Sequence, residues 1–259
     1  MTVVGEYTAM ATATSPALIV YVIDISRSMN LKIGQQRRID VVRDALARNL
    51  ERMVFLSTRG NRVSPRYHIA ILAYSQKVYD LIDGIQPIDK LASIEVPRFE
   101  TDALTDTHTA FLRVEEVLQA NLHRYEASCP APLVCHLTDG EYNGKDPSDV
   151  VKRIRNMRVK DGHVLVENIY INDTSMIVGN TSNLRQWPGI TPSTTFTDDN
   201  AGRYAQKLRG MSSPIPDAYR KVMQENGYHI ASDAIMMLPG HDLALIEMGF
   251  VMSSSTRIR

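Results

Sequence analysis

Six apolar residues in succession, Leu18, Ile19, Val20, Tyr21, Val22 and Ile23, run without a break into Asp24. The run is too short to span a bilayer and has the length of a strand buried on both faces of a parallel sheet. Such a strand needs helices above and below it, which commits the chain to an α/β arrangement. Two hydroxyls follow at alternate positions, Ser26 and Ser28, with Met29 directly after. A loop at the C-terminal edge of a parallel sheet can aim several such oxygens at one point. One carboxylate with two neutral hydroxyls suits a hard divalent cation, Mg²⁺ above all, which takes oxygen ligands and keeps some of its waters. The same residues also suit a plainer role, with Asp24 capping the next helix and the serines closing turns. Spacing alone leaves both readings open.

Two later stretches bear on the choice. The run Ala131, Pro132, Leu133, Val134, Cys135, His136, Leu137 leads straight into Thr138, Asp139 and Gly140. Glycine permits a sharp turn there, and Asp139 falls at the C-terminal edge of its strand, on the side where Asp24 lies. Upstream, Thr105, Asp106, Thr107 and Thr109 crowd the start of a helix that carries Val114, Val117, Leu118 and Leu122 on one face. Helix capping accounts for one of those four polar residues and leaves the others to be explained.

The spacing Asp24-x-Ser26-x-Ser28-Met29 resembles the first metal-site motif of von Willebrand factor A domains, and Thr138-Asp139-Gly140 is similar to their Thr-Asp-Gly motif. The stretch from Ala103 to Phe111 resembles a third, Gly-Gly-Thr-x-Thr-x-x-Ala-Leu/Phe, with Ala103 and Leu104 in place of the glycines. The resemblance therefore covers three separated stretches in the family's order. It implies a doubly wound, mostly parallel central sheet with helices on both faces and one antiparallel edge strand. It also implies a metal-ion-dependent adhesion site (MIDAS) in which Asp24, Ser26, Ser28, Thr105 and Asp139 hold Mg²⁺, with Mn²⁺ or Ca²⁺ as alternatives. One coordination position would stay open for a partner's Asp or Glu. Aligning Ala110-Phe111 with the family's small-large pair selects Thr105 as the ligand; a shift of two would select Thr107. Asp106 is placed to tune the charge of the site from behind its ligands.

The rest of the chain supports the alternation of strand and helix. Residues 37–56 carry Ile39, Val42, Ala45, Leu46, Leu50, Met53 and Val54 at helical spacing. A second buried strand is expected over 67–74 and a short edge strand over 77–82, joined by a hairpin. Residues 84–103 read as loop with one short helix, interrupted by Pro87 and Pro97. A helix opens near Pro147, a strand occupies 164–171 and runs into the polar loop 172–174, a short helix is expected over 182–187, a last strand over 194–197 and a closing helix over 201–211. The chain thus divides into an N-terminal segment 1–15, a domain 16–211 and a C-terminal extension 212–259 that packs on the domain or forms a partner surface.

Composition narrows the function. Twenty-nine basic residues balance twenty-nine acidic ones in 259, so no global field favours nucleic acid or an anionic membrane. Local basic pairs such as Arg37-Arg38 remain. The two cysteines, Cys129 and Cys135, read as reduced thiols, and residues 1–15 lack a secretory pattern, which points to a cytoplasmic protein. The expected function is a non-enzymatic, metal-dependent protein-binding module. The tail resembles that of cytosolic bacterial members of the family related to tellurium-resistance proteins or associated with Ser/Thr kinases and PP2C-type phosphatases, and this resemblance implies as partners a Ser/Thr kinase, a PP2C-type phosphatase or an AAA+ ATPase, within stress response or defence. A metal-dependent phosphohydrolase is the alternative, weakened by the lack of a P-loop or Gly-x-Ser-x-Gly elbow, with His108 and His136 as the nearest general bases. A third reading is a scaffold that recruits through its C-terminal segment.

Overall fold

The computed structural model describes residues 7–92, 96, 99–101, 104–126, 128–140, 142–172, 177, 185–241 and 243–254. The central sheet is built from β1 (Ala17–Asp24), β2 (Tyr67–Tyr74), β3 (Val78–Asp80), β4 (Gln86–Pro87), β5 (Leu133–Thr138), β6 (Leu165–Ile171) and β7 (Met237–Gly240). Their order is β7-β6-β5-β1-β2-β3, with β4 also on β2. The strands from β7 to β2 are mutually parallel, and β3 and β4 run antiparallel to β2. The helices are α1 (Arg38–Ser57), α2 (Ile88–Leu91), α3 (Thr107–Asn121), α4 (Ser148–Asn156), α5 (Asn200–Met211), α6 (Asp217–Glu225) and α7 (Leu243–Ser253).

Strand pleating divides β1 between two cores. Leu18, Val20 and Val22 join Phe111, Val114 and Leu118 of α3 and Val151 and Ile154 of α4 on one face. Ile19, Tyr21 and Ile23 meet Val42, Leu46 and Met53 of α1 with Ile246 and Phe250 of α7 on the other. From β1 the chain crosses through α1 to β2, then returns through α3 to β5 on β1's opposite flank. The strand order therefore reverses at β1, and the C-terminal ends of β1 and β5 face a crevice at a topological switch point.

Residues 212–259, set apart in the sequence as an extension, supply β7 and α7 to the sheet and its cover. The strand expected over 194–197 does not form, and Phe196 makes only an isolated bridge with Ile177. Its place at the sheet edge is taken by β7, whose buried Met237 and Leu238 pair with Asn168 and Ile169. A four-residue strand containing Pro239 and Gly240 has no strand signature of its own, and β6 beside it templates the pairing. The helix expected over 182–187 and the loop over 172–174 fall mostly outside the described residues. Cys129 and Cys135 are both buried free thiols. Among the described residues no helix is long and apolar enough to cross a membrane.

Candidate metal centre

Asp24 is the last residue of β1 and is fully buried. Its Oδ1 accepts the Ser26 backbone N–H at 2.8 Å, and its Oδ2 accepts the Thr138 hydroxyl at 2.8 Å. The turn closed by Ser26 brings its Oγ within 3.1 Å of Ser28 Oγ. Thr138 ends β5, and its hydroxyl also accepts the Gly140 N–H at 2.9 Å, so one side chain pins both the first loop and the turn after Asp139. Gly140 has φ +87°, and a Cβ there would come within 2.7 Å of the Tyr170 ring and 3.0 Å of Tyr204 Cβ. Only glycine combines that left-handed backbone with so close an approach.

Asp139 is buried beside this turn, and its Oδ2 accepts Arg38 Nη1 at 3.2 Å. The two carboxylates act on one another. Burial, and then repulsion from Asp139, push Asp24 up to about 7 from its ordinary 3.8, against the lowering effect of the bonds from Ser26 and Thr138.

Thr105 is buried in the loop before α3. Its N–H donates to Asn143 Oδ1 at 3.2 Å and its carbonyl accepts the Asn143 N–H at 2.9 Å, which ties it to the loop that follows Asp139. The Asp106 N–H donates to Ser75 O at 2.8 Å, just past the end of β2. Asp24, Ser26, Ser28, Thr105 and Asp139 thus lie on three loops at one end of the sheet, joined through Thr138 and Asn143. Thr107 is spent elsewhere, with its hydroxyl 3.3 Å from Tyr74 Oη. Asp106, read as a tuner of the site's charge, instead caps α3: its carboxylate accepts the Thr109 N–H at 2.9 Å and the Thr109 hydroxyl at 2.7 Å.

A buried polar chain leads from Thr107 through the sheet. Tyr74 Oη lies 2.8 Å from His136 Nε2, His136 Nδ1 lies 2.8 Å from Asn168 Oδ1, and Asn168 Nδ2 donates to Ser212 Oγ at 2.9 Å. Ser212 Oγ donates onward to Leu208 O at 2.8 Å. Those partners assign the direction: Asn168 Oδ1 accepts from His136 Nδ1–H, so Nε2 accepts from Tyr74 and the imidazole is neutral. Burial agrees, lowering His136 to about 4. From sequence Thr138 stood out only as part of the Thr-Asp-Gly motif, Arg38 only as half of a basic pair and His136 only as a possible base; none was given its place here. Thr138 carried a signal as the hydroxyl just before Asp139, whereas the others depend on helix phase and strand register.

Two carboxylates with neutral hydroxyls form a donor set for an oxygen-preferring dication, and burial beside Asp139 disfavours the ionised Asp24 in the absence of a cation to offset it. Among the described residues no three His, Cys, Asp or Glu side chains gather as a metal site, so any ion held here would draw on the hydroxyls as well as the two carboxylates.

The sequence matches no protein-family model and no curated protein. Solved structures do resemble the fold. The pilus adhesin SpaC from Lactobacillus rhamnosus GG superposes with a TM-score of 0.56 at 11% identity over 93% of this chain and 31% of that one. The chain therefore spans about a third of that adhesin. BatB from Bacteroides thetaiotaomicron gives a TM-score of 0.49 at 10% identity, covering 92% of this chain and 98% of that one. Proximal thread matrix protein 1 of the mussel byssus, solved with a zinc-occupied MIDAS motif, gives 0.42 at 17% identity over 62% and 37% of the two chains. The shared property is the fold alone, a Rossmann-like α/β arrangement around a mostly parallel sheet.

Proposed function

We propose that this chain is a metal-dependent protein-binding module. The observation that carries the reading is the convergence of Asp24 and Asp139 at the switch point, with Ser26 and Ser28 alongside and Thr105 tied into the same loops. In this reading the five residues hold Mg²⁺, directly or through waters, and the ion when bound supplies an electrophilic position that a partner's Asp or Glu completes. Neutral hydroxyls matter here because they fill coordination positions without cancelling the ion's charge. Leu31, three residues after Ser28, is 57% exposed, and Leu104, directly before Thr105, is 45% exposed.

A binding role is favoured over catalysis by the state of the nearest bases. His136 is fully buried with both ring nitrogens engaged, and His108 sits in the first turn of α3. The finer reading, an adaptor in the cytoplasm of a bacterium working with a kinase, a PP2C-type phosphatase or an AAA+ ATPase, belongs to the same proposal. Affinity capture from native extract tests it, run in Mg²⁺ and again in chelator with Asp24→Ala as control. Proteins retained only by the wild-type chain in Mg²⁺ are expected. An identical set under all three conditions would remove metal from the account.

A further inference from the structure

We propose that Arg38 is an internal counter-cation that competes with the divalent ion for Asp139 and so sets how tightly the site takes metal. The inference rests on the metal-binding reading above. Arg38 is the first residue of α1, its side chain is 8% exposed and that of Asp139 is 2%, and the two meet at 3.2 Å. Its neighbour Arg37 points the other way, bonded to Asp40 and Asn30 at the surface. Helix phase alone therefore selects which of the two arginines enters the crevice.

A buried guanidinium is tolerated when a carboxylate offsets its desolvation, and Asp139 does so here. A dication that draws on Asp139 must share that carboxylate with the guanidinium or displace it. Two cations of like sign a few ångströms apart, in a site shielded from water, repel strongly. Arg38 thus holds Asp139 in the metal-free chain and weakens its capture by the ion. The Arg38 N–H also donates to Leu31 O at 2.9 Å, and Asn30 donates to Thr101.

Calorimetric titration of the full chain with MgCl₂ and with MnCl₂ tests this, comparing wild type with Arg38→Met and Arg38→Lys. Arg38→Met keeps the aliphatic stem and removes the charge, and is expected to bind each ion roughly tenfold tighter or more. Arg38→Lys keeps the charge and is expected to stay near wild type. Binding by Arg38→Met alone supports the proposal in its strongest form. Equal affinities in wild type and Arg38→Met overturn it while leaving the metal reading intact. Absence of binding in all three variants overturns both. Should Arg38→Met fail to fold, the wild-type chain still decides: the Arg38 side-chain Nε–H resonance is expected to shift on Mg²⁺ saturation, and an unmoved signal during measurable binding rejects the competition.

Discussion

Asp24 and His136 are buried groups that titrate in opposite senses over overlapping pH ranges. Asp24 is raised to about 7, so the stability it lends is complete below about 3.8 and is lost as pH rises towards 7. His136 is lowered to about 4, so its contribution is present above 6.5 and is lost as pH falls towards 4. Between them the wild-type chain in chelator is expected to show a shallow dependence from pH 4.5 to 6.5. Thermal unfolding of Asp24→Asn should then rise with pH over that window and that of His136→Gln should fall; parallel slopes in all three would reject the assignment. Gly140→Ala combines positive φ with a Cβ pressed against Tyr170, and urea unfolding is expected to show a loss of about 1–3 kcal/mol or more. At this scale the sequence was readable where a side-chain oxygen ends an apolar strand, as at Asp24 and Asp139. It was silent on Arg38, because one residue of helix phase separates the exposed Arg37 from its buried neighbour, and no local pattern marks that phase at a first turn. The chain from Thr107 to Ser212 was hidden for another reason. It exists only once His136 and Asn168 fall opposite each other on β5 and β6.

The elements built from strong periodicity, β1, α1, β2, α3, β5 and β6, were legible because each carries its own apolar pattern. β7 was not, since its partner supplies the reason it is extended. α7 was visible only as an apolar stretch, with Ile246 and Phe250 in one core and Leu245, Met248 and Met252 in the other. A helix so largely apolar belongs under other structure, and α7 lies against α1, β6 and β7 while its Glu247 stays at the surface, paired with Arg48. Phe250 meets the Tyr21 ring at a centroid distance of 5.8 Å, and Tyr21 Oη in turn contacts Asn49 and Ser253. Phe250→Ala is expected to lower the unfolding free energy by about 3–5 kcal/mol in urea titration. Ending the chain at residue 236 removes β7 and α7 together and is expected to leave an unfolded product by circular dichroism. A folded, metal-binding truncation would instead show that β7 and α7 are dispensable to the rest of the domain.

For the whole molecule the metal reading becomes a linkage statement. An ion that binds only the folded chain stabilises it by about 2.7 kcal/mol at a hundredfold excess over Kd, which is several degrees in Tm at this size. Scanning calorimetry with increasing MnCl₂ is expected to show that rise for wild type and not for Asp24→Ala or Asp139→Ala; equal rises would place the ion elsewhere. The sheet's margins bear on how a partner can approach. β7 closes one margin with four residues that include Pro239, which has no N–H to offer, and the opposite margin ends in the three-residue β3 turned against its neighbour. Among the described residues neither margin gives an incoming strand a long template to lengthen the sheet, which disfavours edge pairing between copies of the chain, and a partner of the kind proposed above would meet the crest of loops instead.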